Sequence, residues 1–193
     1  MLGFAKLIPA FTVQVSTWAV CHTGLSDSSA SGKPSTDMTQ IHIDQGTEVG
    51  ALSTGTSLVH LPFVPNSGLF KSEPDYPIKV DAVFVHGADY IKVDKDGKHA
   101  RLEVQSILKA AQGSLRYNYS GTVDLTGPGG KVLRAESDAA TTDFGGIFGQ
   151  PIFETGTEAF KALEGKTFVQ SGRFIVEAGK PVVVEYKISE VTI

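Results

Sequence analysis

Two short stretches hold most of the residues that could do chemistry in this chain of 193 residues. One is His86-Gly87-Ala88-Asp89-Tyr90; the other is His99-Ala100-Arg101-Leu102-Glu103. A carboxylate beside a histidine fixes the imidazole tautomer and raises its basicity. An arginine is a permanent cation that can hold an enolate or phenolate oxygen. Ring closure of polarised polyenes or quinone methides, pericyclic chemistry included, needs little more than such a cation, a hydrogen-bond donor and a shaped apolar wall. The expected site is one pocket in which His86 and Arg101 are catalytic, His86 moving a proton and Arg101 holding an oxyanion or carbonyl. Trp18, Asp89, Tyr90, Glu103, Tyr117 and Phe153 line it and bind substrate. The alternative is structural: Asp89 caps a turn, and Arg101 and Glu103 belong to a salt-bridged outer face.

Other chemistries find less support. The five histidines, at 22, 42, 60, 86 and 99, make no HxH or HExxH spacing. His42, Asp44 and His60 could converge in a barrel, but the glycine-framed cupin motif is missing, so no metal is expected. Cys21 is the single cysteine, which excludes an internal disulfide and a thiolate zinc cluster. There is no GxSxG, no P-loop and no GxGxxG opening a helix, so no cofactor is expected. A net charge of −4 with scattered basic residues argues against nucleic acid as a partner.

The elements that must position these residues are strands. Phe11–Val20 alternates apolar and polar residues. Thr23–Thr39, rich in Ser, Gly, Asp and Pro, reads as a long mobile loop. Short strands are expected at Gln40–Ile43, Thr47–Leu52 and Ser57–Val64, then a turn around Pro74 and Pro77. Ile78–His86 alternates so that Ile78, Val80, Ala82, Phe84 and His86 share a face. Tyr90–Val93 follows, with a hairpin turn at Asp94–Gly97. His99–Lys109 and Ser114–Leu125 are long strands; His99, Arg101, Glu103 and Gln105 share one face, and Ala100, Leu102, Val104 and Ser106 the other. Thr126–Gly130 reads as a loop, Lys131–Ser137 as a strand, and Asp143–Gly149 as too glycine-rich to be regular. Thr157–Leu163 is the one expected helix, capped by Thr157, with Phe160 and Leu163 on its buried face. Thr167–Val176 and Val182–Val191 end the chain as strands. Many short strands with one short helix imply an all-β fold, a closed antiparallel barrel of the lipocalin or calycin kind, filling residues 1–193 as a single domain. Closure removes exposed edges, and eight or more strands leave room for side chains or one small ligand.

The stretch Pro151–Arg173, the Gly87-Ala88-Asp89-Tyr90 segment, the Ala100-Arg101 pair and the strand through Tyr117–Gly121 resemble domain-of-unknown-function family 3237, a class of small β-barrel proteins. The chain departs from the family pattern twice: His99 stands where an aspartate commonly precedes the Ala-Arg pair, and Lys109–Gly113 lacks the acidic turn. Such divergence resembles a specialised paralogue. Similar scaffolds serve as cofactor-free cyclases in secondary metabolism. A closed barrel, mixed polar and aromatic walls and this divergence point to a cofactor-independent cyclase or isomerase acting on a hydrophobic, oxygenated small molecule; the alternative, from the absence of a named catalytic motif, is a non-catalytic binding barrel, a carrier or sensor. A homodimer is expected through the apolar runs Val182–Val184 and Leu58–Phe63. Residues 1–25 read as a strand and not as a signal peptide, which suggests a cytoplasmic protein, or a secreted one if that segment is a signal. No stretch is long enough to span a membrane as a helix.

Overall fold

The computed structural model describes residues 3–17, 42–43, 46–63, 65–134, 136–177 and 182–193. Trp18, Cys21, Asp44 and the loop expected at 23–39 lie outside them. Eleven strands form one sheet: β1 (Lys6–Thr17), β2 (His42–Ile43), β3 (Thr47–Ala51), β4 (Ser57–Pro62), β5 (Ser67–Ser72), β6 (Asp81–Val93), β7 (His99–Ala110), β8 (Gly113–Asp124), β9 (Ile147–Glu154), β10 (Thr167–Ile175) and β11 (Val182–Thr192). From β5 to β11 each strand pairs antiparallel with the next. β1 closes the ring by pairing antiparallel with both β11 and β5. The result is a closed antiparallel barrel of eight strands, with β4 and β3 continuing outward from β6 and β2 lying parallel beside β1. No helix among the described residues is long and apolar enough to cross a membrane.

Alternation builds the barrel. In β7 every second residue from Ala100 to Ala110 is buried, and its neighbours face out. In β8 and β9 the inward sets include Leu115, Tyr117, Tyr119 and Val123, and Ile147, Pro151 and Phe153. Rings meet along the axis: Phe11 contacts Phe70, Tyr76, Phe153 and Phe168, and Tyr117 stacks on Phe153 at 5.6 Å and 21°. Aromatic side chains bury large apolar area, so this set forms the centre of the core. Of the two runs expected to form a dimer face, Leu61, Phe63 and Val184 are part of that core, while Leu58, Pro62, Val182 and Val183 are half-buried.

Several expectations change. Among the described residues there are two short helices, not one. The first, α1 (Pro128–Leu133), lies where a loop and a strand were expected. Pro128 suits a first helical turn, and Gly130 is required by space: a Cβ there would come 1.9 Å from the Leu125 carbonyl oxygen. The second, Glu158–Leu163, is a 3-10 helix that buries Phe160 and Leu163 as expected. Thr157 stands at its N-cap position without a capping bond; its hydroxyl donates instead to the Ser114 carbonyl at 3.2 Å. Strands β5 and β9 were not expected at all, and both are needed for closure.

Candidate functional site

The site turns on one irregularity in β6. Phe84 pairs with Leu108, but His86 pairs with Ile107, so Val85 is an extra residue and the strand carries a β-bulge. A bulge reverses which face the following residues occupy. Ala82 and Phe84 share one face, as alternation predicts, and that face is the inward one. His86, expected on the same face, points outward and is exposed, while Gly87 and Asp89 turn inward. What approaches Gly87 closely is the protein itself: a Cβ there would lie 2.6 Å from Phe63 and 2.7 Å from Ser106.

Asp89 is thereby carried into the interior, 7% exposed, opposite Val104. Its Oδ1 accepts the Glu103 backbone N–H at 3.2 Å. Burial disfavours the charged carboxylate and pushes its pKa up to about 7; the N–H groups of Glu103 and Tyr90 oppose this shift, and the negative charge of Glu103 adds to it. Two buried phenols feel its charge. Tyr119 donates its hydroxyl to that of Tyr186 at 3.2 Å, with the rings 5.5 Å apart. Burial holds both phenols well above the ordinary tyrosine range, with Asp89 adding to the shift, so both stay protonated donors. Beside them Tyr117 donates to Gln170 Oε1 at 2.7 Å. The inner constellation is therefore Asp89, Tyr119, Tyr186, Tyr117 and Gln170, with Phe153 stacked beneath Tyr117.

The remaining expected residues are on the other side of the sheet wall. Arg101 holds Asp94 through its Nη2 at 2.6 Å and reaches Thr122 at 3.2 Å, both on the outer face. Glu103 pairs with Lys92 at 3.7 Å. Tyr90 packs against His60, ring centroids 4.9 Å apart. A shallow groove of about 440 Å³ on this face is lined by His86, Tyr90, Glu103, Ile107 and Arg116. The structure thus brings together Asp89, Tyr117 and Phe153 inside, and His86, Tyr90 and Glu103 outside, with Arg101 engaged at the hairpin. It does not place all of them in one pocket, and Trp18 lies outside the described residues. The expected outer salt-bridged face is real. Asp89, however, is an interior carboxyl and not a turn cap.

Among the described residues one group could offer metal donors, Asp94, Asp96 and His99, whose ligand atoms lie within 4.8 Å of one another at the β6–β7 turn. Spacing did not single it out, and Arg101 already neutralises Asp94. Sequence reasoning also missed Tyr186 and Gln170. The available signal was weak: Tyr186 alternates with Val184 and Ile188, and Gln170 with Phe168 and Phe174, so each shares a face with core residues.

Comparison with known proteins fits this barrel. A family model described as a protein of unknown function (DUF3237) matches residues 34–191. A solved protein of unknown function from Rhodopseudomonas palustris is 17% identical, with a TM-score of 0.62, covering 98% of this chain and 99% of that one. A β-barrel-like protein from Acinetobacter baumannii is 15% identical with a TM-score of 0.62, covering 100% and 99%. One of unknown function from Clostridium acetobutylicum is 13% identical with a TM-score of 0.62 and full coverage of both chains. At these identities the likeness concerns the fold. No curated protein matches the sequence.

Proposed function

The chain belongs to the DUF3237 family of unknown function, and we propose from its own residues that it is a cofactor-independent isomerase or cyclase acting on a hydrophobic, oxygenated small molecule. One observation carries the reading: an inward carboxyl, Asp89, poised near neutral pH and electrostatically coupled to two protonated phenols. A general base works best when its pKa lies near the working pH. Asp89 would take a proton from a carbon next to a carbonyl. The electron pair moves onto the carbonyl oxygen, where phenol O–H groups stabilise the developing enolate. The proton then returns to a different carbon, which isomerises the substrate, or the enolate carbon attacks a carbonyl or enone in the same molecule, whose π bond opens as the ring closes and whose resulting anion takes the proton back from Asp89. No step needs an oxidant or a reductant. The aromatic interior, with Tyr117 and Phe153 stacked, supplies the apolar wall.

A second reading, a non-catalytic carrier or sensor barrel, draws on the outer groove, where charged groups are already paired: Lys92 with Glu103 and Arg116 with Glu154. The two separate in one experiment. Apolar cyclic enones are incubated with the protein in D2O, and deuterium uptake at the α and γ carbons is followed by proton NMR. The isomerase reading expects catalysed uptake that Asp89→Asn abolishes. Binding without uptake, or uptake indifferent to Asp89→Asn, rejects it.

A further inference from the structure

β9 is bonded to β8 along its whole length, from Ile147 opposite Val123 to Glu154 opposite Arg116. Its ladder with β10 is only three pairs long: Ile147 with Gly172, Phe148 with Ser171, and Gly149 with Gln170. Beyond Gly149 and Gln170 the strands separate, leaving Gln150–Glu154 and Thr167–Val169 without a ladder between them. Pro151, which has no N–H to offer a ladder, sits in the separated stretch, where proline is tolerated as on an edge. A groove of about 440 Å³ follows this seam, with Pro151 and Ile152 on one bank, Thr167, Phe168 and Val169 on the other, and Tyr119 among its lining residues.

Gln170 stands at the apex of the split. It is 2% exposed, and its Oε1 accepts the Tyr117 hydroxyl at 2.7 Å. Its Nε2 has no hydrogen-bond partner among the described residues. A Cβ on Gly149 would lie 2.9 Å from that nitrogen, so the N–H end of the amide rests against the bare face of Gly149, where the strands part. Swapping the amide oxygen and nitrogen does not remove the imbalance: one polar end meets Tyr117 and the other stays unpaired. A buried amide donor left unpaired is costly, and such groups mark places where something else completes the bond.

We infer that the β9–β10 seam admits a flat apolar ligand side-on and that the Gln170 Nε2 donates to its carbonyl oxygen, with Tyr117 fixing the amide. This rests on the isomerase reading, to which it adds the entry path and the feature recognised: a carbonyl on a flat hydrocarbon frame. Ile152 and Val169, outward apolar side chains on the two banks, suit the edge of such a frame, beside the polar Gln150, Lys166 and Thr167. Tyr119, at once a lining residue and the partner of Tyr186, connects the seam to the acid–base pair.

The test uses a matched pair of probes, 2-acetylnaphthalene and 2-ethylnaphthalene, which share their rings and differ by the carbonyl. Dissociation constants are measured by naphthalene fluorescence, with chemical-shift mapping to locate the probe. Wild type should bind the ketone about tenfold more tightly than the hydrocarbon, as one good hydrogen bond allows. Gln170→Leu should erase that preference while leaving hydrocarbon binding in place. Thr167→Trp, a substitution at an exposed bank position that leaves the core untouched, should weaken both probes about tenfold or more. Equal affinity of the two probes for wild type, a ketone preference that survives Gln170→Leu, or indifference of both probes to Thr167→Trp would overturn the inference. Seam-dependent binding with no deuterium uptake would defeat the isomerase reading and leave the seam standing.

Discussion

Replacing Asp89 with asparagine should make the protein more stable, and by an amount that depends on pH. In the unfolded chain the carboxyl titrates near its ordinary value of 3.8; in the barrel its pKa is pushed up to about 7. Below the lower value both states carry the proton and there is no cost. As pH rises from there toward the upper value, the unfolded chain releases its proton while the folded one holds it. Folding stability therefore falls with pH through that window and levels off above it. The shift is about 3 units, and at 1.36 kcal/mol per unit the ionised carboxylate costs about 4 kcal/mol at pH 8. That is a large part of the ~5–15 kcal/mol by which domains of this size are stable. Asp89→Asn keeps an oxygen to accept the Glu103 N–H and presents an uncharged amide to the phenols, so it mimics the protonated acid. Urea unfolding of both proteins between pH 4 and 9 measures the effect. The stability curves should nearly coincide at pH 4 and diverge steadily to pH 7, with the variant ahead by about 3–4 kcal/mol at pH 8. A gap of constant size across the range would show that Asp89 keeps an ordinary pKa, and the argument for a poised base would fail with it. The same variant should lose about 10²–10⁴ in any proton-transfer rate, since general acid–base groups contribute that much.

Tyr117→Phe removes the only hydrogen bond of the Gln170 side chain among the described residues and should cost about 1–3 kcal/mol in urea unfolding; an unchanged midpoint would mean the bond contributes nothing. Gly87→Val drives a side chain into Phe63 and Ser106 and should cost about 1–3 kcal/mol or lower expression, because neither neighbour can retreat within the packed wall. Arg101→Ala should leave both unfolding and deuterium uptake at wild-type values, since its partner Asp94 is on the outer surface; a large fall in turnover would return Arg101 to the catalytic role its spacing suggests. If the protein is a homodimer, its contact should use the exposed apolar positions Phe148 and Ile152, 57% and 63% exposed, and not the core-facing Val184 or Phe63. Light scattering of Ile152→Asp should then report a monomer.

The parts of the barrel that sequence made legible are those where one face is wet and the other dry. β7 and β8 alternate without interruption, so their extents and the sorting of His99, Arg101, Glu103 and Gln105 away from Ala100, Leu102, Val104 and Ser106 follow from period two alone. Alternation does not say which face is inside; closure through β1 and β5 decides that, and β5 hid between turn residues at Pro65-Asn66 and Pro74. β9 hid for a different reason. Gly149 and Pro151 lower strand propensity, yet each has a positional cause: Gly149 makes room for Gln170, and Pro151 lies where β10 has already turned away. α1 likewise contains two glycines that argue against a helix until Leu125 is seen to leave no space for a Cβ at Gly130.

The candidate site shows the same limit most sharply. His86 and Asp89 stand out by residue type, but the face expected for His86 comes from counting along the strand, and a bulge is an error in the count. With one extra residue at Val85, the histidine that alternation groups with Phe84 goes to the other face, outside, and the aspartate three residues later goes inside. Charge alone would forbid that outcome, because a carboxylate in an apolar wall is expensive. The barrel tolerates it by letting Asp89 keep its proton near neutrality and by giving its oxygen an N–H from the neighbouring strand. A sequence in which every local preference was obeyed would have put a hydrophobic residue there. Local rules are most often broken at functional sites, and Asp89 combines such a break with a pKa suited to moving protons. Under the isomerase proposal, that combination, more than the histidine or the arginine, is what places the chemistry inside the barrel.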